Sequence, residues 1–155
     1  MGDETNSEQS RHQAALLQRL TAAAPHFGLD SAQVAGVAGR GPGPLLDLLA
    51  RAVKERPGVS SAWLLFVALT AAFPSPTQVK MVERALSLAS TDMAANAVLE
   101  AAFDAAARFS DLDREIEIVN EGVVVDVDFC ANHPHNTGIQ RVVRQTVSRW
   151  DKNRD

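Results

Sequence analysis

Apolar residues recur with helical spacing through the first hundred positions and give way to a strand-like run near residue 122. Ala14, Leu16, Leu17, Leu20 and Ala24 place one apolar side on a helix from about Ser10 to Ala24, which Pro25 and Gly28 end. Asp30 with Gln33 three residues later predicts a capping box and a short helix through Ala38. Gly39 to Gly43 reads as a loop, and Pro44 suits the first position of a helix carrying Leu45, Leu46, Leu48, Leu49, Ala52 and Val53 to a stop at Pro57-Gly58. The next segment, Val59 to Phe73, is apolar nearly all round, the pattern of a helix at the centre of a bundle. Ser75-Pro76-Thr77-Gln78 starts another helix with Val79, Val82, Leu86 and Ala89, and Thr91 is expected to cap a last one from Asp92 to Phe109. The many alanines of that last helix permit close approach of its neighbours. Ala62-Trp63-Leu64 and Ala97-Val98-Leu99 are alike at a separation near a two-helix repeat, a likeness that any bundle with short turns also produces.

The chain is therefore expected to be mainly α. Residues 1–10, polar with nothing to bury, are expected as a disordered tail, and residues 10–118 as a five- or six-helix bundle. Residues 119–155 differ in kind. Val123, Val124, Val125, Val127 and Phe129 form a β-branched and aromatic run broken by Asp126 and Asp128. A polar loop follows, and then Ile139, Val142, Val143, Val147 and Trp150 return to helical period. One strand and one helix are half of a βαβ unit, and a parallel strand needs neighbours for its backbone groups. The expectation is the first β-α step of a truncated Rossmann-like domain whose remainder lies beyond these 155 residues.

Composition narrows the function classes. At 46% hydrophobic the chain has material for a core, while its longest apolar stretch, Ala62 to Phe73, falls short of the roughly 20 residues of a membrane span. Met1 to Ser10 lacks the apolar stretch of a secretory signal, and the single Cys130 excludes an internal disulfide; both lead to the expectation of a cytoplasmic protein. The net charge of −4 lies before residue 119, with fourteen acids against ten bases, which does not suggest nucleic-acid affinity. Residues Val34 to Gly39 followed by a helix near Leu45 have the outline of a helix-turn-helix. The Gly/Pro-rich linker Arg40 to Pro44 and the acidic Asp47 argue against DNA reading. Near the C-terminus Arg141, Arg144, Arg149, Lys152 and Arg154 cluster, as on a solvated basic face.

Candidate chemistry lies where the last helix starts. Thr137-Gly138-Ile139-Gln140 matches a capping box, and Gly138, without a Cβ, lets a ligand approach first-turn N–H groups that favour phosphate or carboxylate. Arg141 in the first turn opposes the helix dipole unless an anion lies near it, either a bound diphosphate or Asp126 or Asp128. Those two aspartates alternate onto one strand face and either accept hydroxyls of an acceptor or pair with Arg141 and Arg144. Cys130, His133 and His135 are zinc-ligand types, but a fourth ligand is missing and Pro134 constrains the pair of histidines, so no metal is expected.

Val125-Asp126-Val127 with Asn136-Thr137-Gly138-Ile139-Gln140-Arg141-Val142-Val143-Arg144 resembles the start of the N-terminal Rossmann-like domain of retaining GT-B glycosyltransferases of the glycosyltransferase 4 type. The resemblance implies that Thr137, Gly138, Ile139 and Arg141 line a cleft near the diphosphate of a nucleotide-sugar donor and its acceptor. No separate cofactor is implied. Nothing here matches the family's catalytic region or its donor-holding glutamate motif, so this chain alone is expected to be inactive. The alternative is a non-enzymatic helical interaction module whose C-terminal strand pairs with a partner protein.

Overall fold

The computed structural model describes residues 2–109, 112–120 and 142. The chain divides into two compact units, Met1–Ile118 and Val119–Asp155. The described part of the first is a helical bundle: α1 (Gly2–Ala23), α2 (Ser31–Ala38), α3 (Pro42–Glu55), α4 (Val59–Thr70), α5 (Pro76–Leu88) and α6 (Ala94–Phe109). Two 3-10 turns, Ala24–Phe27 and Thr91–Met93, lead out of α1 and into α6. No strand occurs among the described residues. The strand expected at Gly122 to Phe129 lies outside them, and of the last expected helix only Val142 is described, as helical.

The N-terminus departs from the sequence-based expectation. Residues 2–10, expected as a disordered tail, form the opening turns of α1, and Asn6 to Ser10 are exposed. Once the turns from Ala15 to Ala23 are fixed by packing, each added residue gains a backbone hydrogen bond without a new nucleation cost. The buried face of α1 is also rotated from the one its leucines suggest. Ala15, Arg19, Leu20 and Ala23 are buried, whereas Ala14 is exposed. The i, i+4, i+8 line of Ala15, Arg19 and Ala23 faces the bundle, with a charged residue at its middle.

The turns follow local chemistry. Gly28, at φ 75°, ends the turn after α1, a left-handed backbone conformation that favours glycine. The Asp30–Gln33 capping box is formed in both directions, at 2.8 and 3.0 Å. Helix α3 starts at Pro42, two residues before the expected Pro44, because Gly41 at φ 100° turns the chain and leaves Pro42 at the first helical position. The α2–α3 turn is thus confined to Gly39, Arg40 and Gly41, and Pro42, Gly43 and Pro44, part of the Gly/Pro-rich linker held against a helix-turn-helix, belong to α3. The charge objection stands: Asp47 is exposed, and Pro42 to Ala50 contain no basic residue. The Ser75–Gln78 box opens α5 as expected. Ser90 rather than Thr91 occupies the cap position before the turn into α6.

Helices α3 and α4 are shared by the rest of the bundle. Helix α1 packs on both, α2 packs on α3, and the α5–α6 pair packs on α3 and α4. Leu45, Leu49 and Val53 of α3 are at most 2% exposed, and α4 buries every residue from Leu65 to Thr70. Full burial of each such Leu or Phe contributes roughly 1.5–3 kcal/mol. The apolar character of α4 is not uniform, however: Val59 is 63% and Trp63 37% exposed, so its first turns face outward. Trp63 is exposed where Val98 is fully buried, so the similar tripeptides of α4 and α6 do not occupy equivalent places.

Helix α4 stops at Thr70, short of the expected Phe73. Ala71 adopts a left-handed conformation at φ 52° and donates to Val67 O at 2.8 Å, while the Thr70 hydroxyl donates to Phe66 O at 2.9 Å. Arg19 completes this end: its Nε donates to Ala68 O at 2.9 Å and its Nη2 to Leu69 O at 3.4 Å. Carbonyls that a helix end leaves open are closed by one αL residue and one buried guanidinium. Alanine is strained at Ala71 where glycine is not. Ala71→Gly is expected to raise stability by about 0.5–1 kcal/mol in urea unfolding, the relief of αL strain exceeding the added chain entropy.

Candidate functional site

The positions expected to carry chemistry, Thr137, Gly138, Ile139, Arg141, Asp126 and Asp128, lie outside the described residues, as do Cys130, His133 and His135. The first unit holds two features with functional geometry of its own. Neither is legible as a site in the sequence.

The first is a cleft where α3 ends, α4 begins and α5 ends. Pro57 and Gly58 break the chain between α3 and α4 and turn it back, so Val53 and Lys54 of α3 come to share a wall with Ala62 of α4. Helix α5 supplies Glu83, Leu86 and Ser87 on the other side. The volume of this open cleft is about 240 Å³. Val53, Ala62 and Leu86 lie beneath its surface, each at most 4% exposed.

Lys54 and Glu83 are the two charges of the cleft. The Lys54 ammonium donates to Leu86 O at 2.8 Å and Ala89 O at 2.7 Å, which closes carbonyls at the C-terminus of α5, where a cation is favoured. Both charged side chains are half-buried, and no carboxylate oxygen among the described residues lies within 4.0 Å of Lys54. Glu83 makes no ion pair or side-chain hydrogen bond among them. The Ser87 hydroxyl is committed to Arg84 O at 2.8 Å. The lining contains neither histidine nor cysteine, and its polar side chains are Lys54, Glu83 and Ser87. Among the described residues no group of three His, Cys, Asp or Glu side chains is placed to hold a metal ion.

The second feature is aromatic. Val59 and Trp63, one turn apart on α4, share an outward face, and Phe73 folds back from beyond the helix to stack on Trp63. The ring centroids are 5.6 Å apart at an interplanar angle of 18°. Phe73 itself is 83% exposed. Exposed apolar groups of this size, in contact with one another, mark interaction surfaces more often than scattered single residues do.

The sequence pattern passes over Lys54, Glu83 and Arg19 because each is one of several charges on a helix whose apolar residues set the periodicity. A signal exists for Arg19, the only charged residue on the line Ala15–Arg19–Ala23. For Lys54 and Glu83 there is none, since they belong to helices separated in sequence and are brought together by the Pro57-Gly58 turn. No helix among the described residues is long and apolar enough to cross a membrane. Replacing Phe73 by alanine is expected to shift the emission of Trp63 to longer wavelength while changing unfolding stability by no more than about 1 kcal/mol, the size of one exposed stack. No family model, no curated protein and no solved structure matches the chain.

Proposed function

We propose that the chain is the N-terminal part of a GT-B glycosyltransferase that transfers a sugar from a nucleotide-sugar donor to an acceptor, with the helical bundle as an accessory unit. The observation that carries this reading is the sequence Thr137-Gly138-Ile139-Gln140-Arg141-Val142-Val143-Arg144, placed directly after a β-branched run that contains Asp126. Its chemistry suits the role. A helix start with glycine in its first turn offers backbone donors to a diphosphate, and Arg141 adds a fixed positive charge. Asp126 and Asp128 would face the acceptor or hold Arg141 and Arg144 in place. The chain contains no match to the family's catalytic or donor-holding motifs, so on this reading activity belongs to a longer polypeptide.

A second reading, a helical interaction module whose C-terminal strand pairs with a partner, is favoured by one observation: the stacked, outward-facing Trp63 and Phe73 beside Val59. The two readings separate on catalysis. In the full-length protein Gly138→Val is expected to lower sugar-transfer kcat/KM by about tenfold or more, since a Cβ displaces the diphosphate from its donors. The unfolding transition of the helical unit should not move. Wild-type turnover in that variant removes the diphosphate site, and a full-length protein with no turnover of any nucleotide sugar leaves the interaction module as the reading.

A further inference from the structure

We draw no further inference here: the strongest candidate, the outward-facing surface patch of Val59 and Trp63 on α4 with Phe73 just beyond its C-terminal end, is an exposed apolar face, and nothing in the structure shows what covers it.

Discussion

One buried guanidinium joins parts of the helical unit that lie far apart in the chain. Arg19, 1% exposed, reaches from α1 to the end of α4 through Ala68 O and Leu69 O, and to the segment after α6 through Leu112 O at 3.0 Å and Arg114 O at 2.6 Å. Few side chains could do this. Arginine alone carries five N–H donors spread over a planar fork, so a single residue can meet carbonyls in several directions. The carbonyls it meets at α4 belong to a helix C-terminus, whose partial negative charge offsets part of the cost of taking the cation out of water. Removing it would leave buried carbonyls without donors, at about 1–3 kcal/mol for each one not rehydrated.

The segment after α6 depends on the same helix through a second contact. Gln18, next to Arg19, donates its amide to Ile116 O at 2.9 Å and accepts from Ile116 N at 3.1 Å, so its side chain imitates the pairing of one peptide unit with another. Asp113 adds contacts to His12 at 3.4 Å and Arg11 at 4.0 Å, both near enough to solvent to contribute little. Residues 112–118 are therefore held along α1 without helix or strand of their own, and Ile118 packs on the core. Lys54 closes the end of α5 as Arg19 closes that of α4. Basic side chains from one helix satisfy the open carbonyls of another at two places, the ends of α4 and α5.

Much of the helical order is legible in the sequence itself. The Asp30–Gln33 and Ser75–Gln78 boxes, and the breaks at Pro25, Pro57 and Gly58, are local signals whose chemistry does not depend on what packs around them. What escapes is long-range. The burial of Arg19 depends on where α4 ends, and that end depends on Ala71 taking a conformation that alanine seldom adopts. The start of α3 differs from its expected place because two prolines compete for the first helical position, and only the φ of Gly41 decides between them. The cleft is invisible in the sequence for a related reason: Lys54 and Glu83 come to line one cleft through tertiary packing, while the pattern of their helices reports only the apolar face. The sugar-transfer proposal stands on the opposite kind of information, a contiguous stretch of sequence around Gly138.

The Arg19 guanidinium is the joint on which the chain after α6 depends. Hydrogen exchange at the Ile116 amide tests this most directly, in the wild-type chain and in Arg19→Met, with the Leu49 amide of the core as the reference. Ile116 N–H is expected to be protected in the wild type and to exchange about tenfold or more faster in the variant than any change at Leu49 explains, although Gln18 itself is untouched. An Ile116 amide that exchanges freely in the wild type, or that keeps its protection relative to Leu49 without Arg19, would contradict it.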